Sequence, residues 1–242
     1  MKGPISAVLG SAVHSTALAA VDLLFPKRCV GCETEGAFLC RSCLEGLPCL
    51  EPPFCFLCGQ PGRLMMRLCP RCWRRPLEID GIRAPYRMEG AVRSAVHALK
   101  YQNVRALATT LGWLLAGFIV DNDLSADVLV PVPLHPRRER SRGYNQSLLL
   151  ASGAGKILGV PVEAKALRRL RATASQARST DEEERWANVA GAFQASSAIV
   201  QGQRVLVIDD VCTTGATLEA CSIALREAGA MSVWGLTLAR EA

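Results

Sequence analysis

The alternation of hydrophobic and polar positions changes character along the chain. Ile5, Val8, Leu9, Val13, Val21 and Leu24 recur at roughly helical spacing, which predicts an amphipathic helix over residues 1–28. Residues 29–76 offer few apolar positions from which a core could be built. From residue 77 onward, short apolar runs alternate with amphipathic stretches. Residues 80–88, 126–132, 160–167, 205–208 and 232–238 read as strands. Residues 91–101, 104–120, 147–158 and the stretch from Ala216 read as helices. Pro131 and Pro133 end regular pairing at the close of the second strand. Strands alternating with helices predict an α/β domain with a mostly parallel sheet covered on both faces. The chain therefore divides into a helix (1–28), a cysteine-rich unit (29–76) and an α/β domain (77–242).

The stretch Val205–Thr217, VLVIDDVCTTGAT, is the most informative. Its four leading apolar residues form a buried strand, and Asp209 and Asp210 follow directly. A loop of small and hydroxylated residues, Val211 to Gly215, leads into a helix beginning at Ala216. Backbone N–H groups in such a loop, with the helix N-terminus behind them, suit a phosphate. The hydroxyls of Thr213, Thr214 and Thr217 can add donors, and carboxylates suit ribose hydroxyls or a Mg²⁺ ion. The pattern fits a phosphorylated sugar. The competing reading is an ordinary strand–turn–helix whose acids cap the helix.

Cysteine changes the picture of the first third. Of eleven cysteines, nine lie between Cys29 and Cys72. Eight form C-x-x-C pairs: Cys29/Cys32, Cys40/Cys43, Cys55/Cys58 and Cys69/Cys72. Two such knuckles complete a tetrahedral thiolate site, so four suffice for two structural zinc ions. Local pairing gives one site from the first four cysteines and one from the last four, and an interleaved pairing satisfies the spacing too. The segment contains no His, and eight matched cysteines leave no open ligand position, which argues against a catalytic zinc. A redox dithiol is the other competing reading. Reduced thiols imply the cytoplasm. Lys2 and Ala17-Leu18-Ala19 imitate a signal peptide, but Ser11, His14 and Ser15 break its apolar core. No stretch is apolar for the ~20 residues a membrane span needs.

The formal net charge of +6 suits an anionic ligand or weak attraction to nucleic acid. Arg137, Arg138, Arg140 and Arg142 follow the strand at 126–132, at an end where α/β domains bind ligands. Guanidinium groups pair well with phosphate oxygens, so Arg137, Arg138 and Arg142 are candidate pyrophosphate contacts. A lone His135 beside a proline reads as structural. Lys100-Tyr101 reads equally as a helix end or a ligand contact. Residues 168–185 are charged and poor in apolar positions, as expected of a lid or an unstructured loop.

Together these motifs resemble a known family. DD-x-x-TTG-x-T resembles the phosphoribosyl pyrophosphate signature of type I phosphoribosyltransferases. The order Leu24-Phe25-Pro26, four knuckles, Ala98-Leu99-Lys100-Tyr101, Val130-Pro131-Val132-Pro133, Arg142-Gly143-Tyr144-Asn145-Gln146, Arg171-Ala172-Thr173 and Asn188-Val189-Ala190-Gly191-Ala192-Phe193 is similar to the ComF family of competence-associated proteins. The resemblance implies a double zinc ribbon joined to a type I phosphoribosyltransferase domain. It implies phosphoribosyl pyrophosphate with Mg²⁺ as ligand, Asp209 and Asp210 on the ribose, and Cys212, Thr213, Thr214, Gly215, Ala216 and Thr217 around the 5′-phosphate. It also implies a role in handling incoming single-stranded DNA with other competence proteins. Two functions stay open: phosphoribosyl transfer to an unspecified acceptor, or a non-catalytic ligand-sensing or DNA-binding scaffold. The second half is similar to amidophosphoribosyltransferases, but Lys2 stands where their N-terminal nucleophilic Cys would be, so glutamine-derived ammonia transfer is unsupported.

Overall fold

A computed structural model gives the fold and describes residues 26–62, 67–171 and 182–241. The helix expected over residues 1–28 lies almost wholly outside the described residues, as does most of the expected lid at 168–185.

The cysteine-rich unit is built twice from one backbone plan. Each copy opens with an antiparallel bridge, Arg28 with Glu35 and Phe54 with Pro61. In each the first cysteine sits under a tight turn: the amides of Glu33 and Gly59 donate to the carbonyls of Cys29 and Cys55. The third cysteine of each copy caps a one-turn helix, α1 (Arg41–Glu45) or α2 (Pro70–Arg74). The copies differ in support. Cys29, Leu39 and Leu47 pack into the main core beside Val92 and Ala95. The second copy has a small cluster of its own, in which the fully buried residues are Cys55, Cys58 and Cys72.

The rest of the chain runs β1 (Gly81–Arg83), β2 (Tyr86–Arg87), α3 (Gly90–Tyr101), α4 (Leu107–Asp121) and β3 (Val128–Pro131). Then come α5 (Pro136–Arg142), α6 (Gln146–Leu158), β4 (Leu167–Arg169), α7 (Glu182–Val189), β5 (Phe193–Ala195) and α8 (Ser197–Val200). It closes with β6 (Arg204–Cys212), α9 (Ala216–Glu227) and β7 (Ser232–Arg240). The main sheet is parallel, in the order β1-β7-β6-β3, with β2 also on β7. Side chains alternate along the central strand. Leu206 and Ile208 join the cluster under α3, α4 and α6, whereas Val205 and Val207 join the cluster under α9. Burial on both faces is why the strand reads as an unbroken apolar run. The crossing of α4 and α6 is close because a Cβ on Gly112 would lie 2.8 Å from Gly153 Cα.

Several expected boundaries shift. The strand expected at 80–88 is two short strands, because the chain breaks step at Ala84-Pro85. At 160–167 only Val162 bridges the sheet, beside Leu129. Leu167–Arg169 instead pairs antiparallel with β5 in a separate two-stranded ribbon. The basic segment after β3 is not a loop but helix α5, with Pro136 in its first turn and the His135 side chain accepting from the Arg137 amide. β6 does not stop before the acid pair. It continues to Cys212, because β7 runs on to Arg240 and offers ladder partners to Asp209, Val211 and Cys212.

Candidate functional site

The acid pair therefore sits within the paired length of the central strand, held there by β7 beyond the point where pairing with β3 ends at Ile208. Asp210 continues the alternation of Leu206 and Ile208 and faces α3. There Lys100 Nζ lies 2.7 Å from Asp210 Oδ2. That oxygen is buried, and the Lys100 ammonium is its partner. Burial alone would lower the Lys100 pKa, but the charges of Asp210 and Asp209 outweigh it and hold the ammonium above its ordinary range. Asp209 Oδ1 accepts from Ser147 Oγ at 2.7 Å and from the Asp210 amide at 2.9 Å. Burial, then the neighbouring Asp210 charge, pushes Asp209 up to about 7. Two carboxylates one residue apart cannot both ionise cheaply, and Lys100 offsets part of that repulsion.

After Cys212 the chain turns through Thr213, Thr214 and Gly215 into α9. Gly215 has φ +86°, and a Cβ there would lie 2.8 Å from Ile82 Cδ1. Both facts demand glycine. Thr214 Oγ1 accepts from the Ala216 amide at 3.3 Å. Among the described residues, no acceptor takes the N–H groups of Thr213, Thr214 or Gly215. Successive unclaimed donors opening a three-turn helix make a cradle for an anion.

A cleft of about 610 Å³ adjoins the acid pair through Lys100. Tyr101, Asn103, Arg138, Ser141, Arg142 and Tyr144 complete its lining. The Arg142 guanidinium lies 5.6 Å from the Tyr101 ring centroid and donates to Gln146 Oε1. Arg138 and Arg142 thus face the cleft, whereas Arg137 is exposed on α5 and is not part of its wall. Burial, followed by the charges of Arg137, Arg169, Arg140 and Arg138, lowers the His135 pKa, which marks how positive this end of the sheet is. The Gly143-Tyr144-Asn145-Gln146 stretch is scaffolding. Tyr144 Oη donates to the Leu99 carbonyl, and Asn145 donates to the Val132 carbonyl while capping α6 at Ser147. It locks α5, α6 and the end of α3 around the cleft.

The eight knuckle cysteines divide locally, Cys29, Cys32, Cys40 and Cys43 in one cluster and Cys55, Cys58, Cys69 and Cys72 in the other. The interleaved pairing is excluded. A tetrahedral zinc with bonds of about 2.3 Å places its sulfurs roughly 3.8 Å apart. Cys32 and Cys40 Sγ are 3.5 Å apart, and Cys58 and Cys69 Sγ 3.7 Å. The amides of Cys40 and Cys69 donate to Cys29 and Cys55 Sγ, each at 3.3 Å, which favours thiolates. Both clusters fit structural zinc. Cys49 is exposed and belongs to neither.

Three residues of the site carried little signal in the sequence. Ser147 is one hydroxyl in a helix start. Lys100 showed only as an ambiguous helix end. Arg240 stands at the end of an apolar strand, where a charge is unexpected, and its ladder partner is Cys212. The charge at the end of that apolar run was the available clue.

The parallel sheet, the acid pair and the donor loop define a type I phosphoribosyltransferase fold carrying a double zinc ribbon. Comparison with known proteins agrees. The phosphoribosyl transferase domain family matches residues 146–241 and the double zinc ribbon domain family residues 20–73. The DNA utilization protein YhgH of Escherichia coli K12 is 31% identical, across 77% of this chain and 84% of its own. Competence protein F of Haemophilus influenzae is 28% identical, across 89% and 98%. Competence protein ComFC of Bacillus subtilis is 28% identical, across 84% of each. The chain belongs to the ComF family. Among solved structures, the glutamine phosphoribosylpyrophosphate amidotransferase of B. subtilis is similar to 55% of this chain at 27% identity and a TM-score of 0.39, and the match spans 26% of that enzyme.

Proposed function

We propose that the protein binds phosphoribosyl pyrophosphate with Mg²⁺ and transfers the phosphoribosyl group to an acceptor nucleophile not yet identified, which bonds to C1 of the ribose as pyrophosphate leaves. The observation that carries this reading is the juxtaposition on one strand of a buried acid pair and, three residues on, a loop of unclaimed backbone donors. One rigid element can then grip both ends of a ribose 5-phosphate. Thr213 to Thr217 would take the 5′-phosphate, and Asp209 and Asp210 the ribose hydroxyls. Lys100, Arg138 and Arg142 would face the pyrophosphate from the adjoining cleft, and Arg137 would approach from the exposed side of α5. Their charges oppose the negative charge that grows on the leaving group.

Mg²⁺ binds through one or two carboxylates together with substrate phosphates. The residues suit it: two adjacent carboxylates stand beside the cleft, and Asp210 Oδ2 already holds a cation, the Lys100 ammonium, at 2.7 Å. Asp210, with Asp209 beside it, would hold the ion, which when bound neutralises charge on the departing pyrophosphate. Lys100 must give way or share Asp210 for this to happen.

The names of the relatives concern DNA utilization and competence. We place the protein in that setting, in the cytoplasm, with single-stranded DNA and competence proteins as partners. Among the described residues, no helix is long and apolar enough to cross a membrane. The test is to incubate zinc-loaded protein with phosphoribosyl pyrophosphate and Mg²⁺, with and without nucleobase, amine and single-stranded DNA acceptors, and to measure pyrophosphate. Acceptor-dependent release supports transfer. Binding without release under every condition moves the reading to a ligand-sensing scaffold.

A further inference from the structure

Arg240 is 1% exposed, and among the described residues no carboxylate pairs with it. Its guanidinium spans two units of the protein. On one side Nη1 donates to the Cys58 carbonyl at 2.6 Å, and Nε and Nη2 donate to Gln60 Oε1 at 3.1 and 3.0 Å. On the other, Nη1 lies 2.9 Å from Cys212 Sγ, and Nη2 donates to the Thr213 carbonyl at 3.2 Å. Cys58 is a ligand of the second cluster, and Cys212 and Thr213 begin the donor loop. The same ribbon is also stitched to the sheet edge, where the Ile82 amide donates to the Leu57 carbonyl at 2.6 Å. Ile82 in turn is the residue against which Gly215 packs. Two independent routes thus lead from the second cluster to the loop.

A buried guanidinium without a carboxylate is costly unless another anion answers it. Four thiolates around one Zn²⁺ would carry a net charge of about −2 beside this guanidinium. The second ribbon has almost no apolar core besides its cysteines. Leu57, Leu68 and Leu77 are only partly buried against those cysteines, so a metal held by the four thiolates would do much to set the positions of the Cys58 carbonyl and Gln60. The first ribbon differs: it packs on the start of α3 and makes no hydrogen bond to residues 212–217 among the described residues.

We propose that the second zinc ribbon is a working part of the sugar-phosphate site, and that Arg240 is the positioning residue that couples zinc in Cys55, Cys58, Cys69 and Cys72 to the loop 212–217. The proposal rests on the reading of that loop as a phosphate cradle. Coupling is reciprocal: zinc should tighten phosphoribosyl pyrophosphate binding, and the ligand should raise the affinity for that zinc by the same factor. Zinc in the first ribbon should be indifferent to the ligand.

The experiment titrates the full-length, zinc-loaded protein to equilibrium with a colorimetric chelator, with and without phosphoribosyl pyrophosphate and Mg²⁺. One of the two zinc ions should be held about tenfold more tightly with ligand. Cys32→Ser should leave that protected ion, and Cys58→Ser should leave only the indifferent one. Gln60→Ala removes two of the Arg240 bonds without touching a ligand or the loop, and should reduce the protection severalfold while both zinc ions still load. Arg240→Met should remove most of it, the Leu57–Ile82 route remaining, and Arg240→Lys should restore part. Calorimetric binding by the wild type with equal zinc affinities, with and without ligand, would overturn the coupling. Where the wild type binds no phosphoribosyl pyrophosphate, the ligand assignment fails, and amide hydrogen exchange decides the coupling separately. Removal of the second-ribbon zinc should speed exchange at residues 213–217, and unchanged exchange would overturn the proposal.

Discussion

Lys100 Nζ lies 2.7 Å from Asp210 Oδ2, which joins the end of a helix to the central strand at the point where the two acids meet. The pair is largely buried, with the lysine side chain 21% exposed and the aspartate 5%. Removing one partner of such a pair leaves the other charge uncompensated. Lys100→Met should therefore destabilise the fold by about 1–3 kcal/mol, less than for a fully buried pair because water reaches the ammonium. Lys100→Met in an Asp210→Asn background should cost much less. Urea denaturation of the four proteins measures the coupling, and strictly additive losses would contradict the pairing.

Asp209 gives a signed pH dependence. Its pKa rises from an ordinary 3.8 to about 7 in the fold, chiefly through burial. Between those values the folded chain holds a proton that the unfolded chain has lost. Stability from this group is thus present at low pH, falls as pH rises through that window and levels off above it. Asp209→Asn keeps an Oδ1 acceptor for Ser147 and the Asp210 amide but carries no charge. It should flatten the slope and be more stable than wild type at pH 8 by roughly 1–3 kcal/mol, after allowance for partial exposure. Chemical denaturation at pH 5 and pH 8 tests this, and an unchanged slope in the variant would count against it.

The zinc clusters make separable predictions. Elemental analysis of protein purified without chelator should give two zinc ions per chain. Loss of the second should unfold its ribbon, since structural zinc supplies on the order of 10–16 kcal/mol to sites of this kind and little else is buried there. Loss of the first should be milder, because Leu39 and Leu47 remain anchored in the main core. Protein free of zinc yet fully folded would refute the assignment.

Much of this arrangement was readable before the fold was known, and the rest depended on contacts distant in sequence. The knuckles, the buried strand and the DD-x-x-TTG-x-T stretch are local patterns whose spacing dictates their chemistry. The length of β6 was not local: it runs through the acids because β7 runs to Arg240. Glu219 on α9 is buried and accepts the amides of Glu78 and Ile79, 141 and 140 residues away in sequence. Lys100 and Arg240 acquire their roles only when the helix end and the ribbon are brought to the strand. Charge placement across elements leaves no periodic trace.

Single-stranded DNA should bind weakly and with strong salt dependence, as expected for arginines answering phosphates with few aromatic rings to stack on bases. Arg138→Ala with Arg142→Ala should lower both the affinity and the salt slope. Tight binding that persists at high salt would argue for a different mode of recognition.

Gly215→Val should damage the site more than a conservative change in the acid pair. The φ of +86° and the Ile82 side chain both oppose a branched Cβ. The loop must move, and the expected cost is on the order of 1–3 kcal/mol with loss of phosphate binding. A variant that binds ligand as wild type does would show that the loop is not the cradle.

The most direct measurement is calorimetric titration of the zinc-loaded protein with phosphoribosyl pyrophosphate in the presence and absence of Mg²⁺, repeated on Asp210→Asn. The account predicts saturable, Mg²⁺-dependent binding to the wild type. It predicts a ten- to hundredfold weaker affinity for the variant, roughly 1.5–3 kcal/mol for a lost hydrogen bond to a charged group. No binding to the wild type, or equal affinities for the two proteins, would contradict it.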